Sequence, residues 1–303
     1  ILFLSLFDRS EIWLLMILIF IRMSAASMFF STEMSLLSKL LKGKPLQMAN
    51  EIHSIIWSFT YAAGMGISGF IVNWYGVKTA FMIDAIIFTI ALIVFIRIDF
   101  VVKASTATDN FMKLIKDGFI YIKNNKIMLH LIFLHSCVGL TSFDALITIL
   151  AKNEYKYIIS VPLAIGLSNA VRAVALMFGP VFLSKYVTKE NLHYLLIFQG
   201  LSIILWGFMQ SNFYISLIAL FIVGLSTTTL WSFTYALLQD NCDERYIGRV
   251  ISYNDMFFML SCVVTTLFIG LMASLTSVDI ITILLGVGFL AFAFYYTRIL
   301  KWI

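Results

Sequence analysis

Apolar runs of about 18 or more residues recur from one end of the chain to the other, and nothing else restricts its fold so severely. A bilayer core about 30 Å thick takes about 20 helical residues to cross, and within hydrocarbon an isolated run can satisfy its backbone only as a helix. Nine such runs can be read, roughly at 12–32, 52–73, 79–97, 127–150, 158–184, 192–209, 212–238, 250–274 and 278–297. The sequence therefore predicts an all-α polytopic membrane protein with nine transmembrane helices. Its 61% hydrophobic and 12% charged residues exclude a soluble fold, since a soluble domain carries about 25% charged residues.

The placement of charge orients the helices. With the nine spans set as above, 15 of the 21 lysines and arginines fall in loops on one side and 4 on the other, while Arg22 and Arg172 lie inside spans. Basic loops stay in the cytoplasm, so the C-terminus is expected there and the net charge of +5 is a topology signal, with no nucleic-acid partner implied. Cys137, Cys242 and Cys262 have no paired spacing and predict neither a disulfide framework nor a metal site.

The longest connection, about 98–126, is basic and separates three spans from six. Within it Phe111, Leu114, Ile115, Phe119 and Ile122 recur at helical spacing with Lys113, Lys116, Asp117 and Lys123 on other faces, the pattern of an amphipathic helix on the membrane surface. It reads either as a linker resting on lipid headgroups or as a regulatory element. The expected organisation is a first bundle over 1–98, a linker with its surface helix over 99–126, and a six-helix bundle over 127–303. A faint internal echo pairs Leu36-Leu37 and Ser54 with Leu237-Leu238 and Ser252, as parallel repeats of two transporter halves require.

Two short motifs carry a family resemblance. Asp117-Gly118-Phe119-Ile120-Tyr121-Ile122 with Asn124-Asn125 resembles the middle-loop helix of the major facilitator superfamily, in the branch of macrolide-type drug efflux pumps and siderophore exporters. Gly248-Arg249-Val250-Ile251-Ser252 resembles the loop before the eleventh helix of that branch. The resemblance implies a major facilitator fold lacking about three N-terminal helices, so that the nine spans are helices four to twelve and the apolar stub Ile1 to Phe7 is the tail of a preceding helix. It also implies that Arg22 is the fourth-helix arginine linked to proton coupling. Ala63-Gly64-Met65-Gly66-Ile67-Ser68-Gly69 resembles the fifth-helix glycine motif of antiporters, with Met65 in place of its proline.

Ionisable residues inside spans are the natural functional candidates, because a charge at the bilayer centre costs about 2.5 to 3.5 kcal/mol on insertion scales. Arg22 shares a stripe of small residues with Glu33, about 16 Å away along the axis. Asp144 lies on a helical face with Cys137, Thr141 and Thr148, and Arg172 on one with Ser168, Asn169 and Gly179, so the two stripes could share a cavity. That arrangement serves either as a buried lock between helices or in coupling. Asp84 reads as an interface anchor and His53, beside Trp57, Tyr61 and Gly64, as an interfacial histidine, while His130 and His135 lack metal spacing and receive no ligand role. Trp57, Tyr61, Thr141, Asn169, Trp231, Tyr235 and Phe258 are the candidate cavity walls. Gly64, Gly66, Gly69, Gly248 and Arg249 are the candidate packing and conformational motifs.

No HExxH, Gly-rich phosphate loop, paired carboxylates at ligand spacing or nucleophile elbow is present, so neither an enzyme nor an ATP-driven pump is expected, and no metal or cofactor. The expectation is a monomeric secondary transporter of a bacterial-type inner membrane, exporting an amphipathic small molecule against a proton influx. The alternative is a non-transporting membrane protein or a truncated remnant of such a transporter.

Overall fold

The computed structural model describes residues 12–40, 44–97, 111–243 and 245–302, excepting the side chains of 12, 27, 28, 30–55 and 111. Among these residues every element is helical, as a chain with no aqueous interior requires. The α-helices are α1 (Ile12–Leu40), α2 (Lys44–Ile96), α3 (Phe111–Asn124), α4 (Lys126–Ser136), α5 (Asp144–Asn153), α6 (Val161–Leu183), α7 (Leu192–Met209), α8 (Phe213–Asp240), α9 (Ile247–Met272) and α10 (Val278–Ile299). Among the described residues seven helical stretches are long and apolar enough to cross a membrane. The first of these, Ile56–Ile96, has 41 residues, about twice a single crossing. It accommodates two of the expected spans because the chain turns within it at Gly76, whose φ of 81° and ψ of 170° fall in a region open essentially to glycine alone. The first expected span is represented by the apolar run Trp13–Ala26 of α1.

The chain divides into two compact units, Ile1–Ser105 and Thr106–Ile303, so α3 of the expected linker groups with the second. In the first unit α1 lies along the second half of α2. Arg22 and Phe29 meet Asp84 and Phe95, in that order along both helices, so the two segments run parallel. Parallel neighbours are what remains when one antiparallel pass intervenes between them in the chain.

In the second unit, helix starts are fixed locally. Asn125 accepts from the Ile127 and Met128 amides at 3.1 and 3.4 Å, capping α4. Asn212 does the same for α8 from Tyr214 and Ile215 at 3.1 and 3.2 Å. Between helices, small residues set the distance of approach. A Cβ on Gly200 of α7 would stand 2.8 Å from the Gly286 carbonyl oxygen of α10, and one on Gly286 would stand 2.7 Å from that of Gly200, so the two backbones touch.

The loop end of the unit, away from α3, is closed by a satisfied polar cluster. Tyr155 donates its one proton among the Gln210 carbonyl, at 2.6 Å, and Ser216 Oγ, at 2.9 Å. Trp206 Nε1 donates to the same Ser216 oxygen at 2.9 Å, and Thr282 to Gln210 Oε1 at 2.9 Å. Burial pushes the Tyr155 phenol up to about 12, so it stays a donor through the neutral range. Tyr155→Phe leaves a buried acceptor unpaired and is expected to cost about 1–3 kcal/mol. Because the folded protein holds the phenolic proton more tightly than the unfolded chain, the native contribution is present below about pH 10 and fades as the pH approaches 12. Melting curves of both proteins in detergent should therefore converge over that interval.

Candidate functional site

The expected span 127–150 is not one continuous helix. α4 ends at Ser136, a 3₁₀ turn follows over Cys137–Thr141, and α5 begins at Asp144. Discontinuity frees backbone carbonyls, which inside a membrane is tolerated only where protein satisfies them. The Thr141 carbonyl accepts from the Phe143 amide at 2.8 Å and from Arg172 Nη1 of α6 at 3.2 Å, with the guanidinium stacked over Phe143 at 5.6 Å. On the other side the turn is pressed against α9, where a Cβ on Gly139 would stand 2.7 Å from Ser261 Cβ and 2.9 Å from the Cys262 amide.

The break corrects the face assigned to Asp144. Continuous helical periodicity would align it with Cys137 and Thr141, but Cys137 is buried and Asp144 exposed in the first turn of α5, where the helix dipole favours a carboxylate. Thr148 remains on its face, bonded to the Asp144 carbonyl at 2.7 Å. Asn169 is buried, and its side-chain oxygen has no partner among the described residues.

In the last turn of α4, two residues before the break, stands His135, fully buried. Its Nδ1 lies 2.8 Å from Thr234 Oγ1. Thr234 is also in donor geometry to the Leu230 carbonyl, 2.8 Å away; with its proton assigned there, its oxygen accepts and His135 is assigned the Nδ1-protonated tautomer. The ring centroids of Tyr235, Phe258 and Trp231 stand 5.5, 5.6 and 5.7 Å from that of the imidazole, and Trp231 stacks on Tyr235 at 4.9 Å. Three expected cavity walls, Trp231, Tyr235 and Phe258, thus gather around a histidine that its sequence spacing left without a role. No local signal marks it, since the hydroxyl and rings that define its surroundings come from α8 and α9.

In the first unit, Arg22 Nη2 lies 3.8 Å from Asp84 Oδ2, and its guanidinium lies 5.4 Å over Phe88. Asp84, read from the sequence as an interface anchor, is thus an ion-pair partner of the intramembrane arginine. The Glu33 and His53 side chains lie outside the described residues. Trp57 stacks on Tyr61 at 5.4 Å, and both border an open cavity of ≈ 290 Å³ with Thr60, Gly64 and Met65. A Cβ on Gly64 would meet nothing within 4 Å, whereas Gly69 is buried and Gly66 half-buried.

The two motifs that carried the resemblance touch. A Cβ on Gly118 of α3 would stand 2.8 Å from Arg249 Cβ of α9, Tyr253 donates to the Ile115 carbonyl at 3.2 Å, and the Asp243 amide donates to Tyr121 at 3.0 Å. Tyr121 stacks on Tyr246 at 4.3 Å, and Arg249 lies over the Tyr246 ring at 5.4 Å. Gly248 is exposed, and a Cβ added there would meet nothing within 4 Å, so of that motif it is Arg249 that makes the contact. The surface helix is therefore docked on the bundle, above an open cavity of ≈ 720 Å³ bordered by Asp117, Asn124, Lys126 and Tyr246. Among the described residues no group of three or more His, Cys, Asp or Glu side chains could hold a metal ion.

Comparison with known proteins agrees with this architecture. The chain is 25% identical to the uncharacterized MFS-type transporter YkuC of Bacillus subtilis (strain 168), over 326 aligned residues that take in 100% of this chain and 74% of the relative. No solved structure matches it. The family model described as Major Facilitator Superfamily matches residues 1–266, most of the chain. A chain of bilayer-length helices matched over that extent belongs to the major facilitator superfamily and is a multi-pass membrane transporter of small solutes, not an enzyme.

Proposed function

We propose that this transporter exports an amphipathic small molecule across a bacterial-type inner membrane in exchange for protons, acting as a monomer with its C-terminus in the cytoplasm. The observation that carries the coupling is the Arg22–Asp84 contact between two apolar helices. A carboxylate held by a guanidinium in a low-dielectric setting has two states of very different interaction energy, and protonating it releases the arginine. Proton binding then biases whichever helix arrangement keeps the pair apart, which is how an ion gradient drives alternating access. Arg172, Glu33 and Asp144 are further members of the proposed pathway. Arg172 ties α6 to the break in the preceding span, and Asp144 opens α5 just beyond it.

The test uses everted membrane vesicles containing the full chain, ethidium as the amphipathic probe, and an imposed pH gradient. Wild-type vesicles are expected to accumulate ethidium only when the gradient is present, and Asp84→Asn at equal membrane content to reduce that uptake at least about tenfold. Uptake by the variant at the wild-type rate would remove Asp84 from the mechanism, and gradient-independent uptake by the wild type would remove proton coupling.

A further inference from the structure

Among the described residues His135 is the one fully buried histidine of the second unit, and the pathway above does not use it. Its Nδ1 proton is committed to Thr234, which leaves Nε2 with a lone pair. That nitrogen is buried and has no partner among the described residues. Buried polar atoms are nearly always satisfied, so one left open at the meeting point of three helices is unusual. The lone pair of an imidazole is a base as well as an acceptor, and it titrates near neutral pH in water.

We propose that His135 Nε2 is a proton-binding site of the second unit, occupied in one conformation of the transport cycle and vacated in the other. The site rests on the proton-coupled reading only for its purpose, not for its chemistry. A proton from the aqueous phase adds to the Nε2 lone pair, one N–H bond forms, and the imidazolium retains its Nδ1 bond to Thr234.

The surroundings suit a cation that forms transiently. Tyr235, Phe258 and Trp231 all have ring centroids within about 6 Å, the range over which an aromatic face attracts a positive charge. From α9, Asp255 lies three residues before Phe258, on the same helix face, and interacts electrostatically with Tyr235 of α8. Its Oδ1 accepts only a long bond from Asn254, at 3.4 Å, so its charge is little committed elsewhere. On α10, Tyr295 is bonded to His130 at 2.5 Å, and Cys137 follows in the 3₁₀ turn. Protonation also turns Nε2 from an acceptor into a donor, which demands a new acceptor and so favours an altered packing of α4, α8 and α9. The site lies two residues from the 137–141 break, where such a shift meets the least helical resistance.

The rings supply the readout. Cationic imidazolium quenches an adjacent indole more strongly than neutral imidazole does, and Trp231 is 5.7 Å away. In the purified full-length chain in lipid nanodiscs, tryptophan emission is expected to fall on acidification between about pH 9 and pH 4. The drop should be up to about one sixth of the total, the share of one among six tryptophans. The titrating component should vanish in Trp231→Phe and in His135→Asn, whose amide keeps the donor toward Thr234 but has no basic nitrogen. A component that survives His135→Asn, or a wild-type signal with no Trp231-dependent titration, overturns the site. Should the variant not fold, nitrogen-15 spectra of the unaltered chain labelled at its four histidines decide the matter. One imidazole must pass from Nδ1-protonated to doubly protonated while its Nδ1 bond to a threonine hydroxyl persists, and no such imidazole overturns the proposal. A titrating Trp231 together with gradient-independent ethidium uptake would leave the site standing and defeat the coupling reading. Gradient-driven uptake with a silent Trp231 would do the reverse.

Discussion

Gly286→Leu is expected to cost about 3 kcal/mol or more and to leave little folded protein in a detergent extract. A Cβ at Gly286 would stand 2.6 Å from Ile204 Cγ1, and just beyond that side-chain atom lie the Gly200 carbonyl oxygen at 2.7 Å and the Ile204 amide at 3.1 Å, both backbone. Backbone in a helix cannot rotate aside as a side chain can, so α7 and α10 must separate, and every interdigitated pair along their crossing loses contact. Gly288→Ala, two residues on, is the control. Its added methyl would meet the Leu140 Cδ1 atom at 3.0 Å, the far end of a flexible side chain, and a small effect is expected. Gly270→Ala meets nothing within 4 Å and is expected to be neutral or to gain up to about 1 kcal/mol, since alanine loses less backbone freedom in a helix than glycine does. Thermal unfolding of the three variants, followed by size-exclusion chromatography of the extracted protein, orders them. Equal melting temperatures for Gly286→Leu and Gly270→Ala would disprove the close α7–α10 approach.

The second large effect concerns the Arg22–Asp84 pair and should be non-additive. Arg22→Met alone strands the Asp84 carboxylate, and Asp84→Leu alone strands the Arg22 guanidinium, inside helices otherwise apolar. Each single change is expected to destabilise the protein by about 3 kcal/mol, the cost of an unmatched charge at membrane depth. The double variant removes both charges, and apolar replacement of an ion pair is often close to neutral. It should therefore fold better than either single variant while failing to transport. A double variant as unstable as the sum of the two would mean that the side chains do not interact. This cycle separates the structural part of the pair from its proposed part in coupling, because only the former is recovered when both charges are gone.

Much of the fold was legible in one dimension. Bilayer thickness imposes helix length directly on the sequence, so runs of apolar residues read as spans without knowledge of their neighbours. The periodicity of Phe111 to Ile122 likewise revealed α3. Periodicity misled at 127–150, where apolar composition continues unbroken through a backbone that does not. At the 3₁₀ turn of Cys137–Thr141 the Thr141 carbonyl accepts from the Phe143 amide and also from Arg172 of α6, a partner 31 residues away that hydropathy does not encode. Arg22 was recognisable as an intramembrane charge, but its partner was not. Helical spacing pointed along the same helix toward Glu33, while the guanidinium pairs across to Asp84.

The aromatic site shows the same division. Trp231 and Tyr235, at a spacing of four, could be read as sharing one helix face, because side chains on a common face announce themselves by their interval. His135 could not be read so, because what makes it unusual is assembled from three helices, with Thr234 standing 99 residues along the chain. The sequence by itself determined that this protein is built of membrane-spanning helices, roughly where most of them lie, and which family it resembles, since these depend on local composition and on the fixed dimensions of the bilayer. Only the tertiary structure decided where a span breaks, which charge meets which, and which histidine is gathered among three aromatic rings. Those depend on the approach of helices distant in sequence, set by backbone contacts such as Gly200 against Gly286.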